Sequence, residues 1–267
     1  MNGARSAVRP RPEQVAHAFL TPRPPRQHLP LALDGSQALR IATPEGDVAL
    51  QRAGTGPAVL LLHGWEGQAS DLAPFVPPLL DASFGVLAMD LPAHGASAGR
   101  QSAIPQLARA LRAVGEAVGP LHAVIAHSMG SAVLVEALHA GLAAQRVVLI
   151  AAPDHYERYA CGFAAAAGLD AEGIEAMLAV LRDAIGVDVR EISVTRRAPH
   201  LRQPAIFIHS ADDRVVAIDD SMGSAAAWPG ARHLRVEGLG HRRILADSTV
   251  IAAAIEFITA TDRKAFP

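Results

Sequence analysis

Short, continuous apolar runs recur along most of the chain, and each run ends in glycine or polar residues. The runs are apolar at every position rather than at alternate positions, as strands are when helices cover both faces of a parallel sheet. We therefore predict buried strands, in chain order, at residues 58–62, 85–89, 123–126, 147–151 and 205–208, followed by a further strand at 231–237.

Helical periodicity fills the segments between these strands. Residues 104–118 place Leu107, Leu111 and Val114 three or four positions apart, and a Gly-Pro pair ends the segment. Similar patterns predict helices at 13–19, 129–140, 221–228 and 250–259.

A hairpin precedes the first buried strand. Residues 37–42 and 48–53 have strand character, and Pro-Glu-Gly-Asp at 44–47 has the composition of a tight turn. Strands that alternate with helices behind a hairpin predict the α/β class, with a doubly wound, mostly parallel sheet and an N-terminal antiparallel hairpin.

Two segments depart from this rhythm. Residues 1–35 are rich in proline and arginine, and we interpret them as an N-terminal arm that either lies on the main domain of residues 36–267 or is partly disordered. About fifty residues, 153–204, interrupt the alternation without a buried strand, although 169–185 has helical periodicity. An insertion after one strand, at the carboxyl edge of the sheet, predicts a short helical lid over a site.

Composition narrows the possible partners. Half of the 267 residues are hydrophobic, 19% are charged and the net charge is −2, so nothing favours a nucleic acid or an anionic membrane as partner. A single cysteine excludes an intramolecular disulfide. No run approaches the roughly 18 apolar residues of a membrane span, and no signal-peptide core is visible. We expect a cytoplasmic protein with a small-molecule substrate, either monomeric or homo-oligomeric.

The segment Ala-His-Ser-Met-Gly, 126–130, stands at the end of a predicted strand and at the start of a predicted helix. This strand–turn–helix context is where the G-x-S-x-G nucleophile elbow occurs, and it makes Ser128 a candidate nucleophile. Ala126 replaces the first glycine of the motif, but it adds only a methyl group, so the sharp turn stays feasible.

A serine hydroxyl needs a base that removes its proton and an acid that orients the base. His241 follows the strand at 231–237 and lies between glycines and a helix start, which favours a role as the base. Three aspartates lie after strand ends and are candidates for the acid: Asp154, Asp212 and Asp213. Backbone N–H groups of Trp65 and Met129 are candidates for an oxyanion hole.

Five segments of the sequence resemble, in order, signatures of the α/β-hydrolase superfamily, over roughly residues 37–260. They are His-Gly-Trp at 63–65, Asp-Leu-Pro-Ala-His-Gly-Ala-Ser at 90–97, Ala-His-Ser-Met-Gly at 126–130, Asp-Asp-Arg-Val-Val at 212–216 and Gly-Leu-Gly-His at 238–241. The resemblance implies Ser128 as nucleophile, His241 as base and Asp213 as acid, with the oxyanion hole at Trp65 and Met129. The chain departs from the family pattern at Ala93, Ala126, Ser210 and Ala217.

Serine at the elbow favours acyl transfer, and the histidines show no metal-binding spacing. We expect a hydrolase that cleaves carboxylic esters of small or medium acyl groups, without a metal or cofactor, and with Trp65, Phe163 and Met177 in the substrate site. The alternatives are another enzyme with the same three residues (a thioesterase, a lactonase, a C–C bond hydrolase or a cofactor-free peroxidase) and a ligand-binding member of the same fold with little turnover.

Overall fold

A computed structural model describes residues 10–23, 31 and 35–260. One sheet of eight strands crosses the protein in the order β1-β2-β4-β3-β5-β6-β7-β8. The strands are β1 (Gln37–Thr43), β2 (Gly46–Ala53), β3 (Ala58–Leu62), β4 (Gly85–Met89), β5 (Leu121–His127), β6 (Ala144–Ile150), β7 (Ala205–Ser210) and β8 (Arg232–Val236).

Strand β2 pairs with β1 and β4 in antiparallel orientation, and all other pairs are parallel. The predicted α/β class and the N-terminal hairpin are therefore confirmed. Nearly every residue of β3 to β7 is buried, which agrees with their uniformly apolar sequences.

The helices cover the sheet on both faces. They are α1 (Pro12–Leu20), α2 (Val76–Asp81), α3 (Ile104–Val118), α4 (Met129–His139), α5 (Tyr156–Ala166), α6 (Ala171–Ile185), α7 (Val194–Arg197), α8 (Ile218–Ala227), α9 (Gly240–Arg243) and α10 (Ser248–Thr259). Short 3-10 turns supplement them, for example at Ala69–Phe75.

Two apolar cores lie on opposite faces of the sheet. One contains Leu107 and Leu111 of α3 together with Leu134 of α4. The other contains Leu79 of α2 and Phe257 of α10. Both faces of the sheet are therefore shielded from solvent. The loops that can carry a site follow the carboxyl ends of the parallel strands.

Helix α1, which belongs to the predicted arm, packs on the folded body. Val15, Ala16 and Leu20 are buried, and the helix packs against α5 and α6 of the insertion between β6 and β7. Gln101 Nε2 also donates to the carbonyl of His17 at 3.1 Å. The remaining residues of the predicted arm, 1–9, 24–30 and 32–34, lie outside the described residues.

Candidate active site

The turn from β5 to α4 presents Ser128 at the carboxyl edge of the sheet. Ser128 has φ 53° and ψ −128°, a strained conformation for a residue with a side chain. Its N–H donates to the carbonyl of Ile150 in the neighbouring strand β6 at 2.8 Å, which holds the strained turn in place. Strain of this kind persists at functional sites where the surroundings fix it.

Close backbone approach around the turn explains its small residues. A Cβ on Gly64 would lie 2.9 Å from the Cβ of Ser128, and a Cβ on Gly130 would lie 2.4 Å from the carbonyl oxygen of His63. Both positions therefore require glycine. Ala126 is fully buried and is accommodated within β5, so the chain departs from the family motif at a position where a methyl group fits.

His241 lies in the one-turn helix α9 and contacts Ser128. The distance between His241 Nε2 and Ser128 Oγ is 3.0 Å, and that between His241 Nδ1 and Asp213 Oδ2 is 2.7 Å. Because a carboxylate only accepts hydrogen bonds, Nδ1 carries the proton of the neutral ring. Nε2 is then free to accept the proton of the Ser128 hydroxyl.

Asp213 is held as a charged group. Its Oδ1 accepts hydrogen bonds from the N–H groups of Val215 and Val216 at 2.8 and 3.0 Å. His209 Nε2 lies 3.4 Å from Oδ2 on the side opposite the solvent, since the His209 side chain is fully buried. Burial opposes ionisation, but the hydrogen bonds from His209, His241 and the two N–H groups outweigh it and hold the pKa of Asp213 well below its ordinary value.

The other two candidate acids do not contact His241. Asp212 accepts hydrogen bonds from the Ser210 hydroxyl and from the N–H of Gly240, and so connects the loop after β7 to the loop that carries His241. Asp154 accepts from Ser193 Oγ at 2.7 Å and from Thr195 N at 2.9 Å. Asp154 therefore anchors the helical insertion.

The backbone N–H groups of Trp65 and Met129, the predicted oxyanion hole, belong to the two loops that meet at Ser128. Met129 is the first residue of α4, where N–H groups have no partner within the helix. Trp65 follows Gly64 in the loop after β3, and its N–H donates to no acceptor among the described residues. The positive end of the α4 dipole points at the same place, which favours negative charge there.

Two buried histidines support the loops of the site. His63 Nε2 accepts a hydrogen bond from Leu91 N at 3.0 Å, and His127 Nε2 lies 2.9 Å from the carbonyl oxygen of His241. Burial lowers the pKa of each ring to about 3. Both rings are therefore neutral at pH 7, so His127 Nε2 carries a proton and donates to the His241 carbonyl.

Above Ser128 lies a cavity of about 600 Å³, here called the large cavity. Ser128 and Met129 line its base, and its walls include Ile104, Val216 and Pro153. Its roof is formed by α1 and α5, where the Phe19 ring lies 5.4 Å from the rings of both Tyr156 and Phe163. We use "the roof" for these two helices and "the floor" for Ser128 together with His241 and Asp213, which connect to it by hydrogen bonds and do not line this cavity themselves.

At the mouth of this cavity the loop after β3 meets the N-terminal segment. Both Glu66 and Arg23 line the cavity, and the Arg23 N–H donates to Glu66 Oε1 at 3.2 Å. Because this contact is exposed, solvent weakens it.

A second, more polar cavity of about 180 Å³, here called the small cavity, lies on the other side of Ser128. His241, Arg242, Asp71 and His127 line it together with Gly64 and Trp65. Ser128 borders both cavities, whereas His241 borders only the small one.

The structure corrects one expected substrate-binding residue. Trp65 and Phe163 line the large cavity, but Met177 does not line either cavity and is fully buried in the apolar core. Its helix, α6, packs against α1, and α1 is the helix that reaches the cavity. Periodicity identifies the buried face of a helix, but it does not distinguish a face that packs on another helix from a face that lines a cavity.

A family model, described as Alpha/beta hydrolase family, matches residues 59–254. The chain belongs to this family. Solved structures with similar folds include an esterase from Pyrococcus furiosus, with a TM-score of 0.69, 19% identity and coverage of 88% of this chain and 98% of that one. A carboxylesterase from Bacillus subtilis gives a TM-score of 0.66 at 15% identity, with coverage of 93% and 97%. At these identities the likeness establishes the fold of this hydrolase-family chain.

Among curated relatives, a human serine hydrolase-like protein is 39% identical over 69 residues, which is 25% of this chain and 34% of that protein. The chain therefore matches about a third of the length of that relative. In the described part of this hydrolase-family chain, no helix is long and apolar enough to cross a membrane.

Sequence reasoning missed several residues of the large cavity. Helix α5 was not predicted, because the alanine-rich stretch at 156–166 has little apolar periodicity, and it contributes Tyr156 and Tyr159. Phe19 was assigned to an arm rather than to a cavity. The available signal was the apolar face of 12–20, which only a helix packed on the domain would need.

Proposed function

We propose that the protein is a serine hydrolase that cleaves carboxylic esters of small or medium acyl groups through an acyl-enzyme intermediate. The observation that carries the proposal is the continuous contact from Ser128 through His241 to Asp213 at the floor of an apolar cavity. A neutral base next to a hydroxyl, with a carboxylate behind it, is the arrangement that activates serine for attack on a carbonyl carbon.

In the acylation half, Ser128 Oγ attacks the carbonyl carbon and its proton passes to His241 Nε2. The N–H groups of Trp65 and Met129 donate to the oxyanion that forms. The Asp213 carboxylate stabilises the resulting imidazolium. His241 then gives the proton to the alcohol oxygen, the C–O bond breaks, and the alcohol leaves. Water repeats the sequence on the acyl-enzyme, and the carboxylic acid and free Ser128 are regenerated.

The two cavities support one orientation of the substrate, in which its acyl and alcohol groups lie on different sides of Ser128. Since His241 must protonate the departing oxygen, the alcohol lies on the side of the small cavity, which His241 borders. The acyl group then occupies the large cavity. Its volume of about 600 Å³ lies inside the range of about 300–1,000 Å³ that is usual for pockets that bind small molecules.

The test is turnover of p-nitrophenyl esters from acetate to decanoate, combined with fluorophosphonate labelling and peptide mass spectrometry. We expect a burst followed by sustained turnover, the highest kcat/KM at intermediate chain lengths, and the label on Ser128. The Ser128→Ala variant should keep its melting temperature and lose turnover by about 10⁴-fold or more. Ser131, a buried serine one turn away, offers a matched control, and Ser131→Ala should stay active.

Three outcomes would overturn the proposal. An active Ser128→Ala variant, or a label on another serine, would remove the nucleophile. Binding of the esters without a burst and without turnover would identify a ligand-binding protein. Faster hydrolysis of matched acyl thioesters than of oxygen esters, at equal leaving-group pKa, would assign the site to thioesters instead.

A further inference from the structure

The hydroxyl group of Tyr156, in the roof, has no hydrogen-bond partner among the described residues. Tyr156, the first residue of α5, is 8% exposed and lines the large cavity, and its ring packs against Phe19. No acceptor or donor among the described residues forms a hydrogen bond with its hydroxyl. The neighbouring Tyr159 lines the same cavity, but its hydroxyl donates to Asp220 Oδ2 at 3.3 Å.

The Tyr156 hydroxyl is not fully enclosed by protein. Among the described residues, the fully enclosed polar side-chain atoms without a partner are Gln51 Oε1, His94 Nε2 and Ser102 Oγ, and the Tyr156 oxygen is not one of them. Tyr156 lines the large cavity, so the cavity is the open space that lies next to its side chain. Burial raises the pKa of Tyr156, so the hydroxyl stays protonated and is available as a donor.

A phenol in an apolar wall has an energetic cost that phenylalanine would avoid. Leaving a buried donor without a partner destabilises the folded protein, and tyrosine hydroxyls that are buried normally find a partner. Ile104, Phe163 and Val216 of the cavity wall carry no acceptor on their side chains, and the carboxylates that do line the cavity, Asp154 and Glu66, form hydrogen bonds with other groups and not with Tyr156. The donor is thus free to bind an oxygen atom of whatever fills the cavity.

We propose that the large cavity recognises acyl groups that carry a hydrogen-bond-accepting oxygen along the chain, and that the Tyr156 hydroxyl donates to this oxygen. The substrate class is esters of oxygenated aliphatic acids, such as oxo acids, with a small alcohol on the His241 side. This inference rests on the proposed function for the placement of the acyl group, and it adds a specificity-determining residue to it.

The experiment uses methyl nonanoate and a series of methyl oxononanoates in which a ketone replaces one methylene at successive positions. For each ester, kcat/KM is measured with the wild type, Tyr156→Phe and Tyr159→Phe. At one ketone position we expect the wild type to prefer the oxo ester, and Tyr156→Phe to lower that preference about five- to tenfold. Tyr159→Phe should keep the wild-type ratio, because its hydroxyl is already bonded to Asp220.

A binding measurement separates this inference from the proposed function. The same esters are titrated calorimetrically into Ser128→Ala and into Ser128→Ala/Tyr156→Phe, neither of which needs to turn them over. Tighter binding of one oxo ester by the first protein, lost in the second, supports the inference even if the wild type hydrolyses no ester. Equal ratios in all variants at every ketone position would overturn it, even if ester hydrolysis through Ser128 proceeds normally.

Discussion

The floor and the roof of the large cavity are built in different ways. Each floor residue follows the end of a strand: Ser128 after β5, Asp213 after β7 and His241 after β8. Backbone pairing in the sheet therefore fixes their positions, and short loops limit how far they move. The roof consists of α1 and α5, which meet through side-chain packing between Phe19, Tyr156 and Phe163.

Because of this difference in construction, we expect the floor to determine reactivity and the roof to determine substrate selectivity. In the proposed mechanism, a change in the floor alters groups that exchange protons or bonds, so it should act on all substrates alike. A change in the roof alters only the surface against which an acyl group lies, so it acts on some substrates and not on others. If the two regions are independent, substitutions in the floor should change turnover of every ester, and substitutions in the roof should change only the preference among esters.

The largest effect is expected from removal of the charge behind His241. Asp213→Asn places an amide opposite Nδ1, which favours the wrong tautomer, and we expect kcat to fall about 10⁴-fold with little change in KM. Asp212→Asn and Asp154→Asn should lose less than about tenfold, since neither carboxylate contacts His241. Steady-state kinetics on a single ester compares the three variants. A crippled Asp154→Asn with an active Asp213→Asn would place the acid on β6.

A smaller effect, confined to long substrates, is expected in the roof. Phe19→Ala removes a ring that borders the cavity, and we expect kcat/KM for octanoate esters to fall about tenfold relative to acetate esters, since each buried CH₂ contributes about 0.8 kcal/mol. Val15→Ala is the matched control, because Val15 is buried on the same helix but does not line the cavity. It should lower the melting temperature and leave the octanoate-to-acetate ratio unchanged. An equal shift in both variants would mean that the roof acts through stability alone.

Low pH is expected to lower the free energy of unfolding through the two buried histidines next to the floor. The pKa values of His63 and His127 fall from 6.5 to about 3 on folding, so between these values the unfolded chain binds protons that the folded protein does not. The free energy of unfolding therefore decreases as pH falls through this window, by about 1.4 kcal/mol per pH unit for each histidine. Full stabilisation is present above pH 6.5.

Urea unfolding between pH 4.5 and 6 measures this slope. The depressed pKa of Asp213 adds to it only below the ordinary aspartate value, whereas the raised pKa of Asp71 acts in the opposite direction. His127→Gln should reduce the slope by the share of one histidine while its amide still donates to the His241 carbonyl. An unchanged slope would show that His127 is not the group that resists protonation.

The smallest effect is expected at the turn itself. Ala126→Gly restores the residue that the family motif has at this position, and since the methyl group already fits, kcat should change less than about twofold. The glycine should lower the free energy of unfolding by about 0.5–1 kcal/mol, because glycine loses more conformational freedom on folding than alanine does. Measured turnover and chemical unfolding together check both parts. A large loss of activity would mean that the methyl group shapes the turn.

The fold and the floor were accessible from the sequence because each depends on local signals. Uniformly apolar runs identify buried parallel strands, and Ser128 and His241 stand where such runs end. The choice of Asp213 over its neighbour Asp212 required a family resemblance, since adjacent residues of a loop differ only in direction. The structure brings Asp213, His241 and Ser128 together, and their catalytic roles stay a prediction.

The roof was not accessible, because it depends on contacts between distant segments. Nothing local in 12–20 indicates that Phe19 meets Phe163, about 140 positions later in the chain. The periodicity of α6 correctly indicated an inward face, but the position of Met177 under α1 depends on how three helices pack. The missed helix α5 shows the same limit, because alanine-rich stretches fit many environments.

The order of synthesis gives the roof a further property. Helix α1 leaves the ribosome before any residue of α5 or α6 exists, so it has no surface on which to bury Val15 and Leu20 until most of the chain has emerged. Contacts of such high sequence separation form late, because the intervening chain must be ordered first. The sheet can therefore assemble around an open site before α1 docks on it.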